Sequence, residues 1–512
     1  MGKSIIVDEI SQWQYFDELN PLYLNYICIL NGRHPVQIDS GFNYCELGCG
    51  VGTTLNSLAE LFPGGHFFGI DNNKEYIHSA SAFAQEIGSS NIDFKDVNFD
   101  DLCNVNLPDF DYIIINNIYS WKDKVTRDCI KKFVGNHIKK VGIVFLNYET
   151  QPGSSSIISL RDMASFHTKG MVTDNLAKAQ CGLDYLNFLA ENNARVFAEN
   201  AAANEFYDEI KTKDINYVAQ RLFSSFFEPF YFHQIEKEMF EIGLSFAGSA
   251  ICHLNFIDLA VPQEFQDFLK NVSSREQFET HGDLIRNQRY RKDLFVNGRE
   301  VMDEIEQTEA LSDLTFGLSC TEDNFETLAI FGDVELNYNN DVFKNLISIL
   351  ANSPNSVLGL QERAKLQNYS LELIIDALKF LTSNGQVTPV MKIASEKDII
   401  NLEADRYSIC SNFNIQLLKN RLFKQDKITL ISLKRGVGIN MSMSDALFTL
   451  CLVEAGSDGV VDWVLQRLME ANQEILTNEV NETNTMKAGY EEFRKNRLPQ
   501  LLQLEIIKPI VS

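Results

Sequence analysis

The sequence is poor in the features that mark membrane, secreted and low-complexity proteins. It has no run of about eighteen apolar residues, so neither a transmembrane helix nor stable membrane insertion is expected. The first residues, MGKSIIVDEISQWQY, lack the long apolar stretch of a signal peptide. Only 11 prolines and 28 glycines occur in 512 residues, which excludes collagen-like and proline-rich chains.

Basic residues are scarce relative to acidic ones. Lys and Arg total 45 against 70 Asp and Glu, which gives a formal net charge of −25. A protein that mainly binds nucleic acid needs a basic face, so no nucleic-acid partner is expected. The densest basic stretch, 286–292 (RNQRYRK), is interpreted as a solvated helix face, with a local basic patch as the alternative.

The ten cysteines include no CxxC pair. Scattered cysteines among apolar residues are typical of reduced core positions, so a reducing, cytoplasmic location is expected. Cys45 and Cys49 lie four residues apart, but they flank a strand end and a glycine turn, with no histidine partner close by. No metal site is therefore expected.

At 512 residues the chain is too long for one hydrophobic core and should form about three domains. Short apolar segments alternate with amphipathic helices, a rhythm typical of a parallel sheet covered on both faces. Strands are predicted at 43–47, 66–70, 92–94, 112–115 and 141–146. This pattern predicts a doubly wound, Rossmann-like α/β domain, which binds ligands beyond the carboxyl ends of its strands.

Domain boundaries follow from where this rhythm stops. The α/β domain is assigned to residues 1–300, with a helical insert at 154–228 that serves either as a lid or recognition element or as a packing layer. Residues 301–400 are predicted to be winged-helix-like, and their few cations favour a protein-contact or structural role. Residues 401–512 are predicted to form a helical C-terminal domain.

The strongest motif is Glu46-Leu-Gly48-Cys-Gly50-Val-Gly52, which follows the first strand and precedes a helix. Glycines let the backbone approach a ligand without an intervening side chain. Glu46, at the end of the strand, can accept hydrogen bonds from an ammonium group. The three glycines and Glu46 are therefore assigned to a cofactor site.

Asp71 closes the second strand, where its two oxygens can bind both hydroxyls of a ribose, and Asn72 beside it is assigned to the same site. An acid at this position can bind the ribose of NAD in the same way. A dinucleotide site seats a pyrophosphate on a GxGxxG turn, whereas the carboxylate of Glu46 would repel a pyrophosphate and attract the ammonium of S-adenosylmethionine. The turn therefore predicts S-adenosylmethionine as the cofactor, with NAD as the alternative.

Two further strand ends supply candidate site residues. After the third strand, Asn98 is predicted to bind the adenine amino group and the ring of Phe99 to stack on the base, with Asp96 as a competing candidate. The fourth strand ends in INNIYSW, whose amide carbonyls could hold an amine and whose rings could attract a cation. The fifth strand ends in Asn147-Tyr148, which faces the same crevice. The alternative for these segments is a loop whose aromatic residues simply pack.

The catalytic residues assigned from these strand ends are Asn116, Asn117, Tyr119, Trp121 and Tyr148. Asn116 is assigned to the cofactor site as well.

The chain resembles class I S-adenosylmethionine-dependent methyltransferases that carry a methyltransferase regulatory domain, among them rickettsial protein-lysine methyltransferases of outer membrane proteins. The segments that carry the resemblance are YCELGCGVGTTLNSLAELFPGGHFFGID, FDYIIINNIYSW, FLNYETQPG, FEPFYFHQIEKEMFEIGLSFAG, RNQRYRKDLFV and ITLISLKRGVGINMS. Two departures fall on the acceptor side. Asn116-Asn117 stands where many relatives have His-Gly, and Ser154 follows Pro-Gly where many have Trp.

The resemblance implies a bacterial enzyme that transfers methyl groups to lysine side-chain amines of a protein, such as an outer membrane or surface protein. One alternative is a methyltransferase that acts on a sugar or another small molecule. A second is a non-catalytic binding protein that uses the cofactor fold as a scaffold, against which the intact glycine motif argues. The number of methyl groups transferred and the oligomeric state stay open, with a homodimer as one option.

Overall fold

A computed structural model describes residues 13–391, 404–424, 428–471 and 479–510 of the chain. Its largest sheet has seven strands: β1 Phe42–Leu47, β2 Gly65–Asp71, β3 Ile92–Asp96, β4 Phe110–Ile115, β5 Ile138–Glu149, β6 Leu244–Ser249 and β7 Tyr290–Asn297. Their order is β3-β2-β1-β4-β5-β7-β6. The first five strands pair in parallel, and β7 is antiparallel to both of its neighbours. The predicted Rossmann-like sheet is confirmed.

Helices cover both faces of this sheet. Alternate residues of each strand point to opposite faces, so one strand contributes side chains to the cores on both sides. Tyr44 of β1 packs in one apolar core, and the next residue, Cys45, packs in another. Asn73 caps one of the covering helices by accepting a hydrogen bond from the Glu75 N–H at 3.0 Å. The helices around the first five strands are α1 Pro21–Leu30, α2 Thr53–Leu61, α3 Lys74–Ile87 and α4 Lys124–His137, with 3₁₀ turns at Asp17–Leu19, Phe99–Asn104 and Tyr119–Trp121.

Between β5 and β6 the chain leaves the sheet and forms a group of helices with an apolar core of its own, to which Leu160, Phe206 and Leu222 contribute. These helices are α5 Ser155–His167, α6 Asn175–Glu191, α7 Arg195–Ala198, α8 Ala201–Lys211 and α9 Ile215–Phe223. The chain then returns to the sheet through α10 Phe232–Glu241. Between β6 and β7 lie a 3₁₀ turn at Cys252–Asn255 and the helices α11 Ile257–Ala260, α12 Gln263–Lys270 and α13 Arg275–Arg286.

The middle of the chain combines helices with two small sheets. Three antiparallel strands, β8 Thr315–Leu318, β11 Asn355–Ser356 and β12 Val387–Val390, form one sheet, and β9 Leu328–Phe331 pairs with β10 Val334–Asn337 in the other. The helical elements here are α14 Glu304–Asp313, the 3₁₀ turn Glu322–Asn324, α15 Asp341–Asn352, α16 Val357–Gln361 and α17 Leu371–Thr382. The winged-helix assignment and the domain boundaries stay predictions, and residues 392–400 lie outside the described ranges.

The C-terminal part contains strands as well as helices, which corrects the prediction of a purely helical domain. The strands are β13 Tyr407–Ile409, β14 Ile428–Ser432, β15 Val437–Met441 and β16 Ile507–Pro509, paired β13 with β16 and β14 with β15. Isoleucine, threonine and valine in β14 and β15 favour pairing, and Gly436, with φ 70°, permits the turn between them. The helical elements are α18 Asn412–Asn420, the 3₁₀ turn Leu422–Lys424, α19 Met443–Glu454, α20 Val460–Glu470, α21 Glu479–Glu492, a π-helical turn Phe493–Arg497 and α22 Leu498–Gln503.

No helix in the described ranges combines the length and the apolar content needed to span a membrane.

The C-terminal part binds directly to α2, which follows the glycine motif, and to α3, which follows β2. The carboxylate of Glu60, on α2, accepts hydrogen bonds at 2.8 Å from the Ser411 hydroxyl and from the Asn412 and Phe413 N–H groups, and so caps α18. Arg421 donates to both carboxylate oxygens of Glu86, on α3, at 2.6 and 2.9 Å. The carboxyl-terminal ends of α2 and α3 are thereby bound by residues more than 300 positions away in sequence.

Replacing Glu60 by alanine should lower the free energy of unfolding by about 2 kcal/mol, because three donors at the start of α18 lose their acceptor. Urea unfolding followed by tryptophan fluorescence measures this change. Glu75→Ala, an exposed glutamate in the first turn of α3, is the matched control. Equal effects of the two substitutions would contradict an anchoring role for Glu60.

Candidate active site

The glycine motif forms a turn between β1 and α2. Its glycine positions are poorly suited to residues with side chains. Gly48, Gly50 and Gly52 have φ angles of 78°, 55° and 69°, in the left-handed region that favours glycine. A Cβ on Gly48 would lie 2.6 Å from the Ile118 side chain, and one on Gly52 would lie 2.6 Å from the Phe94 ring. The turn therefore presents bare backbone at the carboxyl end of β1.

Asp71 fixes this turn from the end of β2. One carboxylate oxygen accepts a hydrogen bond from the Gly50 N–H at 3.0 Å, and the other accepts one from the Asn73 N–H at 2.8 Å. Burial raises the pKa of Asp71, while these backbone donors act in the opposite direction. Each oxygen keeps capacity for a further donor, such as a ribose hydroxyl. Asn72 lies beside it with an exposed side chain.

Glu46 places a second carboxylate next to the first. It is 5% exposed, and burial, together with the neighbouring charge of Asp71, raises the pKa of its carboxyl to about 8. A buried carboxylate beside another is stabilised by a cation. The site is therefore suited to a ligand that carries an ammonium group, as the sequence predicts.

Of the two residues predicted to bind adenine after β3, Phe99 is placed differently from the prediction, and the adenine contact of the exposed Asn98 stays a prediction. Asn98 accepts a hydrogen bond from the Asp100 N–H at 3.4 Å and caps the 3₁₀ turn. Phe99 is 2% exposed and packs in the core, with the Lys122 ammonium 4.8 Å from its ring centroid. The predicted stacking of an adenine on Phe99 does not fit this arrangement, because the ring has no open face.

Three asparagines join the ends of β4 and β5. The Asn147 amide N–H₂ donates to the side-chain oxygen of Asn116 at 2.9 Å and to that of Asn117 at 2.7 Å. Asn117 has a φ of 58°, a conformation that asparagine tolerates better than most residues. This asparagine cluster (Asn116, Asn117 and Asn147) lies at the same edge of the sheet as Glu46, because β1 and β4 are parallel neighbours.

The two tyrosines assigned to the acceptor pocket are instead buried in the core on the other face of the sheet. Tyr119 is 0% exposed and its hydroxyl donates to Glu238, while Tyr148 is 2% exposed and donates to Asp293 at 2.8 Å. Burial raises the pKa of both hydroxyls. Strand alternation explains the difference for β5, since adjacent residues face opposite sides and Asn147 takes the crevice side.

Trp121 contacts the helices that follow β5. Its ring lies 5.3 Å from the Arg161 guanidinium, 4.8 Å from that of Arg221, and 4.6 Å from the Phe227 ring. Arg221 also forms an ion pair with Glu149, the last residue of β5, at 2.9 Å. The predicted aromatic residue is therefore enclosed by the inserted helices.

The basic stretch 286–292 is not a solvated helix face. Arg291 lies on β7, is 0% exposed, and donates to Glu279, Asp283 and Asp293 at 2.7 to 2.9 Å. A fully buried arginine requires such partners, because an unpaired buried charge is strongly destabilising. Its partners lie up to 12 residues away in sequence, and so the sequence pattern gave no direct signal for them.

A cavity of about 580 Å³ lies between the end of β7 and the later parts of the chain. Tyr290 and Lys292 of β7 line it, and in the strand ladder Lys292 lies directly opposite Asn147. The far wall comes from the middle and C-terminal parts of the chain. A second cavity of about 600 Å³ shares three lining residues with the first: Cys320, Arg497 and Gln500. The two cavities therefore adjoin.

Within the described ranges, no group of three or more His, Cys, Asp or Glu side chains could hold a metal ion.

Residues 38–208 match the family model of a methyltransferase domain, and residues 214–297 match that of a predicted methyltransferase regulatory domain. The chain therefore contains a methyltransferase domain followed by a predicted methyltransferase regulatory domain, and its cofactor is S-adenosylmethionine. The predicted resemblance and cofactor are confirmed. The regulatory segment supplies β6 and β7, so it completes the sheet of the cofactor domain.

The chain is similar to known proteins along nearly its whole length. The uncharacterized protein sll1526 of Synechocystis is 28% identical over 502 residues, which cover 96% of this chain and 97% of the relative. The uncharacterized protein RP789 of Rickettsia prowazekii is 28% identical over 291 residues, 56% of this chain and 52% of the relative. PKMT2 from Rickettsia typhi shares the fold, with a TM-score of 0.68 at 18% identity over 96% of this chain and 99% of that one. The same protein in complex with AdoHcy gives a TM-score of 0.67 at 19% identity, over 94% and 98% of the two chains.

Cofactor affinity should increase with pH, because the ammonium of the cofactor needs the charged form of Glu46. The raised pKa of about 8 leaves this carboxyl mostly protonated at neutral pH. The Kd for S-adenosylmethionine should therefore fall by up to about ten-fold per unit between about pH 6 and 7.5, below the usual pKa of an α-amino group. Isothermal titration calorimetry measures it. Glu46→Gln should bind more weakly and with a flat pH profile, and an unchanged profile would assign the titration to another group.

Proposed function

We propose that this methyltransferase acts on lysine side-chain amines of a protein substrate. The observation that supports this best is the pair of adjoining cavities, the first of which is lined by Lys292, the residue opposite Asn147 in the sheet. Together they extend from the edge of the sheet to the C-terminal helices, which suits an extended polypeptide. Small-molecule sites are typically single concave pockets that enclose most of the ligand.

The resemblance to PKMT2, a rickettsial protein-lysine methyltransferase, also supports a protein acceptor. The two chains share their fold from end to end, including the parts that form the far wall of the cavities. An outer membrane or surface protein remains the predicted acceptor, and a homodimer remains one option for the assembly.

When bound, S-adenosylmethionine supplies an electrophilic methyl group on a positively charged sulfur. The task of the protein is to align a neutral amine with that methyl group and to exclude water. Asn147 holds the amide groups of Asn116 and Asn117 at the end of β4, where they can orient the amine. Partial burial in the cavity lowers the pKa of a lysine, which favours the neutral amine that attacks.

Incubation of the chain with radiolabelled S-adenosylmethionine and a lysate of the source organism should label discrete protein bands on a denaturing gel. Acid hydrolysis of these bands should place the label on methylated lysine. Asp71→Ala should abolish labelling, because it removes the acceptor of the Gly50 N–H in the cofactor turn, while Glu75→Ala should label like the unmodified chain. Label found only in glycans or small molecules would overturn the proposed acceptor in favour of the small-molecule alternative.

A further inference from the structure

One lysine, Lys292, lines the cavity of about 580 Å³. The Lys292 ammonium pairs with a carboxylate oxygen of Glu18 at 2.5 Å, and the two side chains are only 24% and 19% exposed. The ring of Tyr290 lies 5.9 Å from the same ammonium. A carboxylate and an aromatic ring are the groups with which proteins recognise a lysine side chain.

The position of Lys292 connects it to the candidate acceptor site. It lies directly opposite Asn147 in the β5–β7 ladder, and opposed residues in an antiparallel pair share a face with Cβ atoms about 5 Å apart. Asn147 in turn bonds to Asn116 and Asn117. The strand position of Lys292 is therefore adjacent to the groups that we assign to orienting an acceptor amine, and its side chain leads from there to Glu18.

Packing alone gives little reason for a lysine at this position. The next residues on the same face of β7, Leu294 and Val296, are buried in the apolar core. A partly buried ion pair adds little net stability, because the cost of desolvation offsets the attraction between the charges. Glu18 belongs to the 3₁₀ turn Asp17–Leu19 of the amino-terminal segment. Its carboxylate therefore lines the cavity from an element outside the sheet.

We propose that Glu18 and Tyr290 form an ammonium-binding subsite for the acceptor lysine, and that Lys292 occupies this subsite as an internal competitor. The proposal rests on the proposed protein-lysine activity. An incoming lysine exchanges with Lys292 on the Glu18 carboxylate, and the flexible four-carbon side chain of Lys292 turns aside into the cavity. Glu18 thereby selects the charged, unmodified lysine at initial binding, before the amine loses its proton and leaves Glu18 to attack the methyl group.

Peptide binding tests this subsite without methyl transfer. The probe is a short fluorescent Gly/Ser peptide with one central lysine, and the matched probe carries Nε-acetyl-lysine, which has no charge. Fluorescence anisotropy at constant salt gives the Kd of each. Lys292→Met should bind the lysine peptide about five-fold more tightly than the unmodified chain, because Glu18 no longer has a competing partner. Glu18→Gln should bind the two peptides equally.

Lys140→Met is the matched control, since Lys140 is an exposed lysine that pairs with Glu300 outside the cavity. It should leave both affinities unchanged. The Kd for S-adenosylmethionine shows that each variant is folded. Equal or weaker lysine-peptide binding by a folded Lys292→Met variant overturns the proposal, as does undiminished lysine selectivity in Glu18→Gln. If Lys292→Met fails to fold, the Glu18→Gln result decides alone.

Methyl transfer to the same peptide and to lysate proteins is measured in parallel. Binding that depends on Glu18 without any transfer to lysine contradicts the proposed function and leaves the ammonium subsite standing. If the Glu18 and Lys292 variants transfer methyl groups to protein lysines as the unmodified chain does, the subsite is contradicted and the proposed function stands.

Discussion

The Asp71 carboxylate holds the turn on which the cofactor site depends. Its hydrogen bonds to the Gly50 and Asn73 N–H groups join the end of β2 to the loop after β1 and to the start of α3. Gly48 and Gly52 cannot carry side chains in this turn, because a Cβ at either position would meet Ile118 or Phe94. Glu46 then lies close to Asp71 with little water to screen the two carboxyl groups. A cation that enters the site stabilises the charged form of Glu46, which matches a cofactor that carries an ammonium and a sulfonium.

The segment matched as regulatory is connected to the acceptor side through two buried tyrosines. Tyr119 donates to Glu238 on α10, and Tyr148 donates to Asp293 on β7, both within residues 214–297. Asp293 is in turn bound by the buried Arg291. Because low-dielectric surroundings make such networks costly to break, the ends of β4 and β5 are held in place by charges from a later part of the chain.

The sequence was sufficient to predict the parts of the fold and site that arise from local patterns. The alternation of strands and helices, the glycine motif and the acid that closes β2 are all contiguous signals, and the structure places them as expected. Contacts that depend on tertiary packing were missed. Strand ends alone do not reveal which face is the crevice, so they do not distinguish Asn147 from Tyr148, although the core residues Val144 and Leu146 share a parity with Tyr148. The partners of Arg291 and the strands of the C-terminal part depend on pairing that a local pattern does not specify.

Because β7 lies between β5 and β6, the sheet cannot be completed during synthesis until β7 has emerged. β7 inserts between β5 and β6 and pairs with residues 143–149 of β5 in seven register positions. A ribosome delivers β5 first, and the next 140 residues must emerge before β7 is available. During that interval β5 presents an open strand edge, which is a template for association with other chains. The inserted helices, which have their own apolar core and follow β5 directly, are the first elements available to shield that edge.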